Sequence, residues 1–297
     1  MQECFCCWVC GSTKLRLVKP SNISAPLNSN WFKITDLHYG VTGDIFQCSS
    51  CGFMECPTIG EVIGFYQELD DPDYEKGRNE RALQMSQVLK FVQQYRTNGR
   101  LLDIGAGTGI LVEEALNLGF QAEGVEPSKW LQQQACKRGL PVFRGTVPHA
   151  EITGPYDVVT LIDVIEHVYS PIEILEHLHD LMAEEGRGVI VTPDVGSWAA
   201  RLLGWKWWHF RVAHIGYFNR QTLLRALKKV NLYPLAIRRA GWVFTGDYLF
   251  DRIKTYLPAF LRIRTPRFLG RVQVPVNLLD SFMIVVAKRG DKSRKWQ

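Results

Sequence analysis

A glycine-rich turn after an apolar segment is the part of the sequence best suited to bind a small molecule. Residues 101–104 are apolar except for Asp103 and predict a buried strand. Glycines follow where a strand must turn sharply and a ligand must lie against bare backbone. Dinucleotide sites place their third glycine where this chain has Ile110. An acid before the first glycine instead suits a cationic, amino-acid-bearing ligand. The predicted cofactor-binding residues of this turn are Asp103, Gly105, Ala106, Gly107 and Gly109.

Two further acids end predicted strands and complete the predicted cofactor site. Glu126 ends the strand 121–126, 21 residues after Gly105. There a carboxylate can accept both hydroxyls of a ribose, although the residue could also be a solvated loop glutamate. Asp163 follows the strand 156–162, although aspartate is also common where helices begin. Ligands of parallel sheets bind at the carboxyl ends of the strands, so we expect both acids near the glycine turn.

An acid and two histidines are the predicted catalytic residues. Glu166 and His167 follow Asp163 closely, and His214 lies in a second segment, His-Ile-Gly-Tyr-Phe-Asn. Histidine near its ordinary pKa can take the proton from an attacking hydroxyl. Asp163, Glu166 and His167 could instead face one divalent metal, or Glu166 and His167 could only shape the active-site helix. His214 could likewise be structural.

Two Cys-x-x-Cys pairs predict a metal site near the start of the chain. Each pair is followed by a glycine, which lets a turn place both thiolates on one side of a metal. The 37 residues between the pairs require an inserted hairpin or loop. A redox pair or spare buried thiols are the alternatives, and Cys4 or Cys6 could replace Cys7. The predicted ligands of a structural zinc are Cys7, Cys10, Cys48 and Cys51.

The order of predicted elements indicates an α/β fold with a parallel sheet and helices on both faces. After a connecting loop (61–77) and a helix (78–96), strands and helices alternate from residue 101. We therefore divide the chain into a cysteine module (1–60), a linker with a helix (61–98) and a catalytic domain (99–290). Within the catalytic domain, residues 194–218 form an aromatic lid and residues 242–276 form a basic insertion.

Composition excludes few functions but restricts location. The net charge of +5 is too mild to imply nucleic acid, and no secretory signal or membrane-length apolar run is present. We expect a cytoplasmic protein. Residues 252–275 combine six basic and several apolar residues without an acid. This pattern favours peripheral contact with the inner face of an anionic membrane, or simply a wall of the substrate pocket.

The sequence resembles class I S-adenosylmethionine (SAM) methyltransferases with an N-terminal zinc-binding module, a type found with genes for cell-surface polysaccharide or sugar modification. The resemblance rests on both Cys-x-x-Cys-Gly segments and on residues 71–74, 103–109, 124–128, 163–168, 192–193 and 214–218. It implies a Rossmann-like seven-stranded sheet, SAM as cosubstrate and a structural zinc in a small ribbon-like module. In similar quinone-pathway and small-RNA methyltransferases, residues matching the 163–167 segment bind a divalent metal.

The resemblance implies methyl transfer to a small molecule, with the oxygen of a sugar or glycan as the main expectation. A quinone-type aromatic O-methyltransferase is one alternative. An RNA or tRNA methyltransferase that uses the zinc module to hold nucleic acid is a less favoured one, because the basic residues are scattered. A non-catalytic SAM-fold or NAD-binding scaffold is the remaining alternative.

Overall fold

The fold alternates strands and helices along most of its length. The structure is a computed structural model that describes residues 5–258, 264–276 and 280–288. The strands are β1 (Leu15–Lys19), β2 (Ile45–Cys48), β3 (Met54–Glu55), β4 (Arg100–Ile104), β5 (Gln121–Glu126), β6 (Val142–Arg144), β7 (Tyr156–Ile162), β8 (Met182–Pro193), β9 (Gly216–Tyr217), β10 (Leu232–Arg239), β11 (Trp242–Thr245), β12 (Gln273–Val276) and β13 (Ser281–Lys288). The α-helices are α1 (Ile63–Gln67), α2 (Pro72–Lys76), α3 (Arg78–Val92), α4 (Ile110–Asn117), α5 (Lys129–Lys137), α6 (Pro171–Leu181), α7 (Trp198–Leu203), α8 (Arg220–Lys229) and α9 (Gly246–Lys254).

Seven strands form the central sheet in the order β10-β13-β8-β7-β4-β5-β6. β13 runs antiparallel to both of its neighbours, and the other pairs in the sheet are parallel. The predicted Rossmann-like fold with helices on both faces is confirmed. The chain passes from β4 to β5 and β6 on one side and then returns to β7 on the other. This reversal opens a crevice between β4 and β7, which is where open α/β sheets bind ligands.

Apolar packing on both faces explains why the inner strands are nearly all apolar. One buried cluster joins β7 and β8 to α6 and α8 and also includes Cys7, Cys48 and Phe53 from the N-terminal region. A second cluster joins the opposite face of the sheet to α3 and α4. Helix starts follow the sequence signals, because Ser128 caps α5 and Asn219 forms a capping box on α8.

The N-terminal region shares a sheet with the catalytic part of the chain. Its four strands follow the order β1-β2-β3-β9, and β9 lies inside the segment 194–218. The inserted residues between the cysteine pairs contribute β1, which pairs with β2. Phe53 contacts Phe218, and Trp8 contacts Tyr169, with ring centroids 4.7 Å apart in both pairs. The cysteine region is therefore packed into the fold rather than set apart from it.

Three local expectations need correction. Residues 61–77, expected as a loop, contain α1 and α2, and Asp71 caps α2 by accepting from the Tyr74 N–H. The helix expected over 78–96 ends at Val92. The segment 194–218 is less a lid than a core element, because Trp207, Phe210 and Tyr217 are buried, among others.

The basic insertion contains α9 and the two-stranded sheet of β11 and β12. Arg252 lines an internal cavity, and Lys254 forms an ion pair of 2.6 Å with Asp251. Arg262 and the side chain of Arg267 lie outside the described residues. Among the described residues, no helix is both long and apolar enough to span a bilayer. Contact of residues 252–275 with a membrane surface stays a prediction.

Gly109 and Gly119 offer a matched test of backbone strain and packing. Both have left-handed φ, +75° and +88°. A Cβ at Gly109 would lie 2.8 Å from Leu140 Cδ1, whereas a Cβ at Gly119 would meet nothing within 4 Å. We expect Gly119→Ala to lower the free energy of unfolding by about 1 kcal/mol and Gly109→Ala by about 2–4 kcal/mol, because overpacking adds to the strain. Equal losses in denaturant unfolding would contradict the packing role of Gly109.

Candidate active site

A cavity of about 820 Å³ opens at the carboxyl ends of β4, β5 and β7. Six of the seven predicted cofactor-binding residues line it: Asp103, Gly105, Ala106, Gly107, Glu126 and Asp163. All three predicted catalytic residues, Glu166, His167 and His214, line the same cavity. The tertiary structure therefore brings together two sets of residues that the sequence separates by up to 111 positions.

The three glycines of the turn have different roles. Gly105 and Gly107 have left-handed φ of +79° and +54° and lie in the cavity wall. A Cβ at Gly105 would lie 2.5 Å from Val164 Cγ2, and one at Gly107 would lie 3.3 Å from the Tyr74 hydroxyl. Gly109 does not line the cavity and packs against Ala135 and Leu140. Gly109 is therefore not placed to contact a cofactor in the cavity, contrary to the expectation from the sequence.

Asp103 and Glu126 are buried acids without an ion pair. The Thr160 hydroxyl donates to Asp103 Oδ1 over 2.6 Å. The Gly107 N–H and the Ser128 N–H donate to Glu126 Oε2 and Oε1, each over 2.8 Å. Burial raises the pKa of Glu126 to about 7, and burial together with the negative charge of Glu126 raises the pKa of Asp103 to about 7.

These two acids fit the predicted cosubstrate. SAM carries positive charge on its ammonium and sulfonium groups, and a cation beside Asp103 would offset the cost of burying ionised carboxyl groups. Each Glu126 oxygen uses one lone pair on a backbone N–H and keeps another, which can accept a ribose hydroxyl.

Asp163 lies at the end of β7 with a left-handed φ of +52°. Its side chain is accessible from the cavity. The enclosing walls of the cavity and the negative charge of Asp280 raise the pKa of Asp163 to about 7, whereas Arg81 acts in the opposite direction. Asp163 thus faces the same space as the glycine turn.

Glu166, His167 and His214 form a compact cluster. One donor atom from each lies within 4.8 Å of the other two, so the three residues could hold a metal ion. Asp163, which the sequence grouped with Glu166 and His167, does not belong to this set, and His214 takes its place. Thr192 donates to Glu166 Oε2 over 2.9 Å, while Glu166 Oε1 and His214 Nδ1 are buried without a hydrogen-bond partner among the described residues.

Hydrogen bonding sets the orientation of His167. Its Nδ1 lies 2.7 Å from the Ala213 carbonyl oxygen and 2.6 Å from the Tyr66 hydroxyl. A carbonyl oxygen can only accept, so we assign the proton to Nδ1. His167 Nε2, 3.8 Å from Glu166 Oε1, then presents a lone pair to the cluster.

Burial keeps the histidines of the cluster neutral. It lowers the pKa of His167 to about 4 and holds the pKa of His214 well below its ordinary value. Burial also raises the pKa of Glu166 well above its ordinary value, and the charge of Asp163 adds to this effect. At neutral pH, the free protein therefore presents two uncharged imidazoles beside a carboxyl group that holds its proton more tightly than an ordinary glutamate.

Several cavity residues were not predicted as site residues. Asp280 accepts from the Trp208 indole N–H over 3.0 Å and contacts His209 Nε2 over 3.3 Å, and the His209 ring stacks on His214. His209 belongs to the segment 194–218, which the sequence predicted as an aromatic lid. Tyr66 and Asp280 had no such signal, because neither belongs to a recognisable spacing and each reaches the cavity through the tertiary fold.

The four predicted zinc ligands also come together. Cys7 Sγ lies 3.5 Å from Cys51 Sγ, and Cys10 Sγ lies 3.5 Å from Cys48 Sγ. Disulfide sulfurs lie about 2.05 Å apart, whereas two thiolates on one zinc lie about 3.8 Å apart when each Zn–S bond is about 2.3 Å. Cys6 is exposed and Cys56 is buried, and neither belongs to this group.

The comparisons with known proteins identify a methyltransferase domain. A model of the methyltransferase domain matches residues 75–237, just over half of the chain. The chain is 38% identical over 101 residues to a ubiquinone biosynthesis O-methyltransferase of Caulobacter sp. strain K31, covering 31% of this chain and 40% of the relative. It is 31% identical over 159 residues to the enzyme of the same name from Ruegeria pomeroyi, covering 49% of this chain and 63% of the relative. The chain thus spans about two fifths to three fifths of the length of these curated relatives.

One solved structure supports the fold. A chain of the complex between the Haloferax volcanii Trm112 methyltransferase activator and a methyltransferase superposes with a TM-score of 0.51. The alignment covers 73% of this chain and 94% of that chain at 12% identity.

The raised pKa values of the buried acids predict that SAM binding depends on pH. A carboxyl group with a pKa of about 7 must lose a proton before it can stabilise a cation, so affinity should increase as pH rises. We expect the dissociation constant for SAM to fall about tenfold between roughly pH 5.5 and 7.5 in calorimetry. Asp103→Asn should weaken binding at the higher pH and flatten this dependence.

Glu123→Gln is the matched control. Glu123 lies on the same strand as Glu126, but it pairs with Arg100 and Tyr156 outside the cavity. This variant should keep the pH dependence of the unmodified protein. An affinity for SAM that does not change with pH in the unmodified protein would contradict the proposed contact of the acids with the cation.

Proposed function

The chain belongs to the family of methyltransferase domains, and we propose that it transfers a methyl group from SAM to a hydroxyl of a small aromatic, quinone-type molecule. The observation that carries this proposal is one cavity shared by the glycine turn and the Glu166, His167 and His214 cluster. The curated relatives, which are ubiquinone biosynthesis O-methyltransferases, favour this alternative over the sugar or glycan oxygen that we expected from the sequence.

The proposed cofactor end of the cavity consists of the turn and the acids beside it. SAM supplies a methyl group already activated by its sulfonium, so the protein mainly has to position the two reactants. Gly105 and Gly107 would let the cosubstrate approach the backbone. Asp103 would receive its ammonium group, and Glu126 would accept its ribose hydroxyls.

The proposed acceptor end contains the histidine cluster. An acceptor hydroxyl must lose a proton as it attacks the methyl group. His214 Nδ1 is unpartnered and the imidazole is neutral, so this atom can accept that proton, but its lowered pKa makes it a weaker base than the histidine of ordinary pKa that the sequence led us to expect. Glu166 and His167 would position the hydroxyl, and Tyr66 and the Ala213 carbonyl keep the His167 ring in place.

A divalent cation is the second candidate for this cluster. One carboxylate and two imidazole nitrogens within 4.8 Å form a donor set that such ions accept, and two of the donors have no protein partner. Bound there, a cation would lower the pKa of a coordinated hydroxyl.

The region 1–60 is proposed as a structural zinc module. The Sγ–Sγ separations and the tetrad of cysteines support four-sulfur coordination. The module supports the acceptor side of the cavity through Ile215, the residue before β9, because the Ile215 N–H donates to the Glu166 carbonyl and the Cys56 N–H donates to the Ile215 carbonyl. The ion would thus stabilise the backbone that carries Glu166.

A methyl-transfer screen tests the proposed function. Purified protein with SAM labelled in its methyl group should methylate catechols, and it should not methylate nucleotide sugars or tRNA. His214→Ala should lower kcat by about 10²–10⁴-fold while the affinity for SAM stays unchanged. His179→Ala is the matched control, because His179 contacts Asp180 outside the cavity.

The same assay separates the two candidates for the cluster. Full activity in the presence of a chelator supports His214 as the base, and activity that is lost and then restored by added Mg²⁺ or Mn²⁺ supports the metal. Label found only on sugars or tRNA would contradict the proposed acceptor.

Removing one cysteine tests the zinc module. Purified protein should contain about one zinc per chain, and Cys48→Ser should lose it and lower thermal stability. Cys6→Ser is the control, because Cys6 is exposed and outside the tetrad, so that variant should keep its zinc. Elemental analysis that finds no zinc in protein purified under reducing conditions would contradict the module.

A further inference from the structure

Two buried hydrogen-bond donors on the α9 side of the cavity have no partner. Arg252 Nε and the Tyr39 hydroxyl are shielded from solvent, and neither makes a hydrogen bond within the described part of the chain. Both side chains line the cavity. Buried polar groups in folded proteins are nearly always paired, so these two donors indicate that a ligand atom is their partner.

Aromatic rings hold the Arg252 guanidinium in place. Its central carbon lies 4.2 Å from the centroid of the Tyr248 ring and 5.5 Å from that of Tyr39. Tyr39 in turn stacks on Tyr256, with centroids 6.0 Å apart. Contact with ring faces stabilises the cation but offers no hydrogen-bond acceptor in the plane of the guanidinium. The planar fork that binds oxyanions in two-point contacts therefore stays available.

No carboxylate of the described residues forms an ion pair with Arg252. Asp36 is the acid that acts on it most strongly, but Asp36 already contacts His38 Nδ1 at 2.5 Å and Arg211 Nη2 at 3.9 Å. Partial burial lowers the pKa of Arg252 to about 10, as expected for a cation without compensation. The nearby Arg211 is buried, and its Nη groups bind backbone carbonyls, whereas its Nε has no hydrogen-bond partner among the described residues. This part of the cavity thus has an excess of positive charge.

The charge of the cavity is therefore divided. Asp103, Glu126 and Asp163 gather at the strand ends, where they suit the cationic cosubstrate, although Arg81 also acts on Asp163 and a further acid, Asp280, lies beside His209. Arg252 belongs to α9, and Arg211 belongs to the segment 194–218, which also contributes the neutral His214. Both arginines therefore lie on the side of the cavity proposed for the acceptor. A neutral acceptor would leave Arg252 uncompensated, whereas an acceptor with a carboxylate would pair with it.

We propose that Arg252 and the Tyr39 hydroxyl form a subsite for a carboxylate on the acceptor, so that the substrate class is an aromatic hydroxy acid rather than a neutral phenol. This inference rests on the proposed function and names the substrate class of that same site. The carboxylate would accept from Arg252 Nε and from the Tyr39 hydroxyl and would orient the ring so that its hydroxyl reaches the histidine cluster.

Binding of a matched pair of probes tests the subsite. 3,4-Dihydroxybenzoate and its methyl ester differ in one negative charge, and both can be titrated into protein saturated with S-adenosylhomocysteine. We expect the acid to bind about tenfold more tightly than the ester, because hydrogen bonds to charged groups contribute more than neutral ones. Arg252→Met should remove this preference by weakening the acid alone, and Tyr39→Phe should reduce it by a smaller factor.

Lys254→Met is the control variant. It removes a positive charge from the same helix, but Lys254 pairs with Asp251 and does not line the cavity, so the preference should persist. Unchanged affinity for S-adenosylhomocysteine in each variant shows that the fold is intact. If Arg252→Met fails to fold, Arg252→Lys and Tyr39→Phe still report on the two donors.

Equal binding of acid and ester by the unmodified protein would overturn the subsite, as would a preference that survives in both Arg252→Met and Tyr39→Phe. Methylation assays keep this result separate from the broader proposal. Methylation of neutral catechols without any preference for the acid would overturn the subsite and leave the aromatic O-methyltransferase standing. A clear preference in binding without methylation of either probe would support the subsite and contradict the proposed reaction.

Discussion

The burial of acids without matching cations is the constraint on which the site depends. Asp103, Glu126 and Glu166 are each at most 5% exposed, and no arginine or lysine lies within ion-pair distance of any of them among the described residues. Three ionised carboxylates in such a position would strongly destabilise the fold, and the raised pKa values reduce that cost because each group is ionised less readily than an ordinary carboxyl group. Burying these acids lowers the stability of the ligand-free protein. A bound cationic ligand or metal ion would offset part of this cost.

The buried Glu126 also connects two segments of the backbone through hydrogen bonds. Its two carboxylate oxygens accept from Gly107 in the glycine turn and from Ser128 at the start of α5, so one side chain joins the loops that follow β4 and β5. Ser128 itself donates to the Leu69 carbonyl, which brings the segment after α1 against the same loops. The residues proposed to bind the cosubstrate are therefore also the residues that hold its surroundings together.

The N-terminal region is coupled to the acceptor side by a comparable chain of contacts. β3 pairs with β9, and the residue before β9 donates its N–H to the Glu166 carbonyl. Trp207, Phe210 and Tyr217 of the 194–218 segment are buried in the space between the two parts, so these rings are not available to a substrate. Trp198 and Trp205 are exposed, and Trp208 lines the cavity. A metal in the cysteine tetrad would act on the reaction only through this packing.

Local patterns were enough to predict most of the fold and half of the site. The strands and helices of the central sheet could be predicted because apolar periodicity, glycine turns and caps such as Ser128 act over a few residues. Asp103, Gly105, Gly107 and Glu126 could be predicted for the same reason, since each occupies a fixed place relative to the end of its own strand. The segment 61–77 was missed because α1 and α2 are too short to show a periodic pattern, and their stability comes from packing.

By itself, the sequence determined the α/β class, the cysteine tetrad and the acids at the strand ends, because these follow from local spacing. Only the tertiary structure decided which distant side chains share the cavity. In the structure, His214 and not Asp163 lies beside Glu166 and His167. Asp280 contacts His209, and the Arg252 guanidinium lies over the Tyr39 ring. Gly109 does not line the cavity, and β9 pairs with the strands of the N-terminal region. Contacts between residues far apart in the chain depend on how whole elements pack, and no local pattern records that packing.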